Sequence, residues 1–315
     1  KDEVTSCLNK HDASYLPITV KHASEIVKMD DNPLDVFRKK KNSSIRIGMQ
    51  LLADKEGDAF VSAGNSGAVV STSLFVLKRI KGIDRPAIAT IMPTLSGRVI
   101  VADAGANNTC KPFHLAQFAI MCSVYSRYFL KCRNPRIGIL SNGEEENKGT
   151  EVIRSAHALL SGSSLNFKGF VEGGDVFNGS LDVAVCDGFA GNILLKTAEG
   201  VAESLGSALK EELSRTILSK IGYLFSRYSF MRLKKRFDYS EYGGAPLLGV
   251  NGPVIISHGR SNANAIMNAA RAARDLARSN VTYHLQNDMD VNKDLQTIAR
   301  KPSLIDRVLR PINTK

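Results

Sequence analysis

Short apolar runs, each stopped by glycine, asparagine, aspartate or serine, recur along this chain, and most lead into a helical pattern. Residues 59–61 run into Ala63-Gly64-Asn65-Ser66-Gly67 and a helix from Ala68. Residues 87–92 and 98–102 form two strands, the second leading through 103–107 into a helix over 111–130. Residues 136–140 open into a long polar loop, and the strand over 166–172 ends in Gly173-Gly174-Asp175. Residues 183–185 are followed by Asp187, Gly188, Gly191 and Asn192. Ile193, Leu194, Thr197 and Ala198 then take up helical spacing, in a helix expected to run through Leu213. Residues 253–256 lead through Ser257-His258-Gly259 into an alanine-rich helix over 262–278. Repeated strand–turn–helix units imply an α/β protein with a mostly parallel sheet. Ligands of such sheets bind beyond the carboxyl ends of the strands, which brings Asn65, Asp103, Asn107, Lys148, Asn192 and His258 to one edge.

The segment 181–200 concentrates candidate chemistry. A strand that stops in glycines and restarts as a helix aims unpaired N–H groups outward, which suits an anion, and Lys196 adds a positive charge one turn on. A tight strand–helix turn with a solvated lysine explains the same pattern. Asp30-Asp31-Asn32-Pro33 is a helix start ahead of the basic run 38–41. Three successive glutamates, 144–146, read as acidic residues at a helix N-terminus rather than metal ligands. Beside them Asn147 and Lys148 place an amide next to a cation. His114, without a partner at i+3 or i+4, reads as a packing or surface residue, and Cys186, at the end of a buried strand, as a packing thiol.

The chain has 315 residues, 43% hydrophobic and 23% charged, and can bury a sizeable core. Five cysteines without a C-x-x-C pair give neither a disulfide framework nor a zinc site, so the expected compartment is the cytoplasm. The formal charge of +11 calls for an anionic partner. The absence of tryptophan and of zinc-finger or RNP-type motifs argues against nucleic acid. Neither a dinucleotide glycine fingerprint nor a Walker loop is present. Over 213–237 basic residues occur without any acidic one, while Ile217, Ile221, Leu224, Phe225 and Tyr228 share one helical side. This basic amphipathic helical hairpin suits an anionic membrane surface or an acidic protein; equally, its apolar side could be buried in a dimer.

Taken together and in order, DAFVSAGNSGA, DAGAN with CKPFHLAQFAIM, NGEEENKGTE, VCDGFAGNILLKTAEG and SEYGGAPLLGVNGPVIISHG resemble the bacterial phosphate acyltransferase family, PlsX, from about residue 21 to about 278. DGFAGNILLK and VIISHGRS are also similar to segments of phosphotransacetylases. The resemblance implies a three-layer α/β/α fold in two lobes around a cleft. It implies one acyltransferase domain over 1–290, lacking the family's first strand and glycine turn, with a polar basic tail over 291–315. It also implies transfer of a long-chain acyl group from acyl carrier protein to inorganic phosphate, forming acyl phosphate for phospholipid synthesis. The expected protein is a homodimer, peripheral to the membrane, that hands its product to a membrane glycerol-phosphate acyltransferase and uses no metal or organic cofactor. Alternatives are an acyl-CoA:phosphate transferase of the phosphotransacetylase type and a non-enzymatic, membrane-bound organiser of lipid synthesis.

On this reading Lys148 and Lys196 neutralise phosphate and oxyanion. Asn192 and the N–H groups after Gly191 donate hydrogen bonds, His258 orients phosphate or protonates the leaving thiolate, and Asp187 orients a lysine. Gly64, Asn65, Ser66, Asp103, Asn107, Asn147, Asp187, Gly191 and Ser257 are the expected substrate contacts. Arg260 stands where the family is usually small.

Overall fold

The computed structural model describes residues 1–291 except Ser14, Glu146 and 238–240. The elements are, first, α1 (Asp2–Lys10), α2 (Pro33–Lys39), α3 (Ser44–Ala53), β1 (Phe60–Ser62), α4 (Ser66–Val76), β2 (Ala87–Ile88), β3 (Thr90–Thr94) and β4 (Gly97–Ala102). Then come α5 (Pro112–Tyr128), β5 (Ile137–Leu140), α6 (Glu151–Ser161), β6 (Phe167–Val171), α7 (Asp175–Asn178), β7 (Val183–Val185) and α8 (Gly188–Arg215). The last are α9 (Ile217–Phe237), β8 (Ala245–Leu248), β9 (Val254–Ile256), α10 (Ala263–Arg278) and α11 (Val281–Val291). The tail expected over 291–315 lies outside the described residues, save Val291.

Two sheets form the middle layer, in orders β1-β9-β8-β2 and β3-β4-β7-β5-β6. Pairs β1–β9, β4–β7, β5–β7 and β5–β6 are parallel; β2–β8, β8–β9 and β3–β4 are antiparallel. The run read as one strand over 87–92 divides at Ala89 into β2 and β3, which serve different sheets. Ala89 N–H still donates to Pro246 C=O (3.0 Å), so the chain passes between sheets without losing a backbone bond.

Side-chain alternation along the strands builds the layers. Ile100, Ala102, Val183, Val185, Ile137, Ile139 and Ile255 pack in one core with Phe118 and Met121 of α5, Leu160 of α6, Ala273 of α10 and Leu285 of α11. The opposite residues, Val99, Val101, Ala184 and Cys186, pack with Val176 of α7 and Leu194 and Ala198 of α8. On the other sheet Phe60, Val254 and Ile256 face Val36, Met49 and Val69 of α2, α3 and α4. The result is the expected three-layer α/β/α arrangement in two lobes. The expected helix start at 30–33 holds: Asn32 Oδ1 accepts from Leu34 N–H (3.0 Å), with Pro33 in the first turn.

Two expectations are corrected. Glu144 and Glu145 do not sit at a helix N-terminus, because Thr150 Oγ1 caps α6 through Ile153 N–H (3.3 Å) and leaves them in the preceding loop; Glu146 lies outside the described residues. Nor is there a hairpin within 213–237. Thr216, in extended conformation, breaks the helix there, and the two arms are α8 and the single helix α9, which pack on each other. Both are exposed along most of their length.

Candidate active site

The carboxyl edge of the five-stranded sheet is closed by three loops. In register, Ala102 pairs with Val185 and Val185 with Ile139, so the residues that follow β4, β7 and β5 stand side by side. After β4, Asp103 is fully buried. Its Oδ1 accepts from the N–H of Ile88 (3.0 Å), Gly105 (3.2 Å) and Ala106 (3.0 Å). Its Oδ2 accepts from Asn107 N–H (2.6 Å) and Asn107 Nδ2 (2.8 Å). Burial pushes this carboxyl above its ordinary range, against those hydrogen bonds, and no cation pairs with it among the described residues.

After β7, Asp187 Oδ1 accepts from Ala190 N–H (2.8 Å) and caps α8. The helix therefore starts at Gly188, earlier than expected. The N–H groups after Gly191 lie inside it and are spent on its own carbonyls, which corrects the expectation that they face an anion. Gly188 N–H donates to Asn107 C=O (2.8 Å) and Gly191 N–H to Asp187 C=O (2.9 Å), while Phe189 N–H has no backbone acceptor among the described residues. The glycines are steric: a Cβ on Gly191 would lie 2.0 Å from Asp103 O and 2.9 Å from Cys186 Sγ. Asp187 is a helix cap and pairs with no lysine among the described residues, a second correction.

Asn192 and Lys196 share one face of α8, four residues apart. Asn192 lies beside Gly105, whose added Cβ would be 3.7 Å from Asn192 Cβ. Lys196 is half-exposed and pairs with Glu199 (2.6 Å). After β5, Lys148 is partly exposed, 4.0 Å from Glu145 Oε1 and folded over Gly143. Asn147 is exposed, and its C=O accepts from Arg154 Nη1 (3.4 Å).

The carboxyl edge of the four-stranded sheet carries the other expected residues. Ser62 pairs with Ile256, so Gly64, Asn65 and Ser66 stand beside Ser257 and His258. Asn65 is buried and structural on both sides of its amide. Its Oδ1 caps α4 through Ala68 N–H (2.9 Å), and its Nδ2 donates to the C=O of Lys28, Met29 and Asp31 (3.2, 2.9 and 3.2 Å). Gly64 N–H donates to Ser62 Oγ (3.2 Å), and Ser66 is exposed. His258 is exposed, and its Nδ1 accepts from Arg260 N–H (3.0 Å); in the neutral ring Nε2 then carries the proton. Ala104, Ala106 and Leu195 pack in one cluster with Phe60 and Ile256, which ties the two edges together.

A family described as "Fatty acid synthesis protein" matches residues 1–284. A phosphate acyltransferase of Geotalea daltonii is 54% identical over 93% of this chain and 85% of its own length. That of Geobacter sulfurreducens is 52% identical over 90% of this chain and 82% of its own length. The chain belongs to this family. Among solved structures, a EutD phosphotransacetylase from Staphylococcus aureus has a TM-score of 0.54 at 18% identity, covering 88% of this chain and 84% of that one. A phosphotransacetylase from Streptococcus pyogenes has a TM-score of 0.52 at 19% identity, covering 92% and 84%. These two share the fold of the phosphate acyltransferase family.

Sequence reasoning missed one polar group of the edge. Ser141, the first residue after β5, has a buried Oγ with no hydrogen-bond partner among the described residues, as has Ser257 after β9. The signal was available, since Asp103, Ser141, Asp187 and Ser257 each follow an apolar strand within two residues. His114 and Cys186 are packing residues. His114 is buried, with Nε2 2.8 Å from Asp84 Oδ2 and Nδ1 accepting from Lys111 N–H (3.0 Å). Burial pushes the Cys186 thiol far above its ordinary range, away from the reactive thiolate.

Proposed function

We propose that this chain transfers a long-chain acyl group from the thioester of acyl carrier protein to inorganic phosphate. A phosphate oxygen adds to the thioester carbonyl, the tetrahedral oxyanion collapses, the C–S bond breaks, and acyl phosphate and a thiolate leave. The observation that carries this reading is the identity with proteins named phosphate acyltransferases over most of both chains. Phosphate is already largely a dianion near neutral pH, and a thiol of pKa about 8.5 leaves with little acid help, so the work is positioning and electrostatics. Lys148 and Lys196 are assigned to the charge on phosphate and oxyanion, Asn192 to a hydrogen bond, and His258 Nε2–H to phosphate orientation. For Lys196 the assignment requires that it leave Glu199. Asn65, Asp103, Asn107 and Asp187 then serve by holding the loops around the substrate, while Gly64, Ser66, Asn147, Gly191 and Ser257 line them.

The test is release of free thiol from palmitoyl-acyl carrier protein, with and without phosphate. Phosphate-dependent release supports the proposal, and its absence overturns it. Faster turnover of acyl-CoA than of acyl carrier protein would favour the phosphotransacetylase-type alternative.

The same reading extends to partners. No helix of the described residues is long and apolar enough to cross a membrane. The α8–α9 arm nevertheless exposes Leu205, Ile217, Leu224, Phe225 and Tyr228, with Phe225 84% exposed, beside Lys220, Arg227 and Arg232. Such a surface supports a homodimer, peripheral contact with an anionic membrane, and delivery of acyl phosphate to a membrane glycerol-phosphate acyltransferase. Arg236 is a poor probe of this contact, because it donates to the C=O of Thr94 and Leu95 and so anchors the arm's base. Reversing the charges of Lys220, Arg227 and Arg232 should abolish sedimentation with anionic vesicles; unchanged binding would remove the lipid role.

A further inference from the structure

The structure assigns Asp103 as a positioning residue: a buried carboxylate that clamps the two sheets together and sets the 104–107 loop against Asn192. Three observations carry this. The side chain is fully buried, so substrate does not reach it. Its donors come from both sheets, Ile88 from β2 of the four-stranded sheet and Gly105, Ala106 and Asn107 from the loop after β4 of the five-stranded one. Ala104 N–H doubles the link by donating to Ile88 C=O (2.9 Å).

The held loop then touches the start of α8 in two places, through Asn107 C=O on Gly188 N–H and through Gly105 on Asn192. Gly105 has φ +127°, a conformation that side-chain-bearing residues rarely adopt, so the loop needs outside support to hold its course. No side chain intervenes at the contact, since a Cβ on Gly188 would lie 2.8 Å from Asp103 Oδ2.

A carboxylate is needed because both oxygens are used as acceptors. An asparagine would turn its NH2 towards donors on one side, leaving buried N–H groups unpaired. The inference rests on the proposed function only in taking Asn192 as a contact of the reacting group.

The experiment compares Asp103→Asn with the unaltered full chain in phosphate-dependent thiol release and in amide hydrogen exchange. The expected result is a fall in kcat of about 100-fold, the scale of a misplaced reacting geometry, with KM for the acyl donor within about threefold. Exchange should speed up at residues 105–107 and 188 but not in β5 or β6. Adding Asn192→Ala should cost less than about threefold more, since the two act as a unit. Arg136→Met, at the opposite edge of the sheet, should lower Tm and leave kcat within about twofold.

A kcat for Asp103→Asn within about threefold of the unaltered chain, or fully multiplying losses with Asn192→Ala, overturns the assignment. If Asp103→Asn does not fold, Asn107→Ala removes only the Nδ2 bonds to Asp103 and Pro86. An unchanged kcat there overturns the assignment equally. An unaltered chain without phosphate-dependent release overturns the proposed function instead, and unchanged exchange at 105–107 then overturns the clamp.

Discussion

Asp103 and Asp182 flank neighbouring parallel strands of one sheet at opposite ends, and they are satisfied by opposite means. Asp182, ahead of β7, is partly buried and gripped by Arg136. Its Oδ2 accepts from Arg136 Nε (2.9 Å) and backbone N–H (2.8 Å), and its Oδ1 from Nη2 (3.0 Å). Burial alone would raise its carboxyl, but the hydrogen bonds and charge of Arg136 hold it below the ordinary range. Asp103, after β4, has only neutral N–H donors among the described residues, and burial leaves it raised. A guanidinium fork on a long side chain ties strand to strand and adapts to small shifts. Most of the donors to Asp103 are backbone N–H groups of the 105–107 loop, so this carboxylate dictates the course of that loop. At the amino edge this ion pair ties strand to strand, whereas at the carboxyl edge the buried carboxylate sets a loop.

That contrast can be broken at several points. The largest effects belong to the charges of the carboxyl edge: Lys148→Ala and Lys196→Ala are each expected to lose on the order of 100-fold or more in turnover. Near-normal release of thiol by either variant would take that lysine out of the mechanism. Next, Gly191→Ala forces a Cβ towards Asp103 O and should cost about 1–3 kcal/mol of stability as well as activity, read by denaturant melts and by turnover. An unaffected enzyme would show that the close approach of α8 to the 103–107 loop is dispensable.

Arg136→Met should cost about 1 kcal/mol, discounted for its partial exposure, and leave turnover intact. A loss of turnover matching the lysine variants would erase the distinction between the edges.

The two carboxylates also predict opposite pH slopes. Asp182, depressed, contributes stability above its ordinary value of 3.8 that is lost as pH falls through its folded value. Asp103, raised, makes the native state lose stability as pH rises from 3.8 through its folded value. Denaturation across a pH series should therefore show a flattened acid limb for Asp182→Asn, and a steeper decline on acidification just above 3.8 for Asp103→Asn. Parallel curves would contradict the assignment of both groups. The smallest effect is expected for Cys186→Ala, which should keep turnover within about threefold because a buried, protonated thiol is no nucleophile. Abolished activity in a folded variant would put an acyl-cysteine back into consideration.

Much of the fold was legible residue by residue. Alternating Val99, Ile100, Val101 and Ala102 marks a strand covered on both faces, and Asn32-Pro33 and Asn262 mark helix starts. β8 escaped notice because Ala245–Leu248 is short and contains Pro246, a residue that argues against a strand, although its C=O still joins the sheet by accepting from Ala89 N–H. The start of α8 was misplaced because Gly188 and Gly191 read as turn residues, whereas they are glycines so that the helix can approach the Asp103 loop. Asn65 and Asp103 were recognised as polar groups at strand ends. What they bind beyond their own turns was not legible, because those partners, Lys28, Met29 and Asp31 for Asn65 and Ile88 for Asp103, lie elsewhere in the chain.

The sequence by itself determined the alternation of strand and helix, the edge on which polar residues gather, and, through its ordered motifs, the family. Those follow from local periodicity, turn chemistry and residue identity, which need no knowledge of neighbours in space. Only the tertiary structure decided that the strands divide into two sheets, that Asp187 caps a helix, and that Asp103 joins the lobes from within. Those depend on which buried N–H and C=O groups find one another across the fold, and every such group must be satisfied in place.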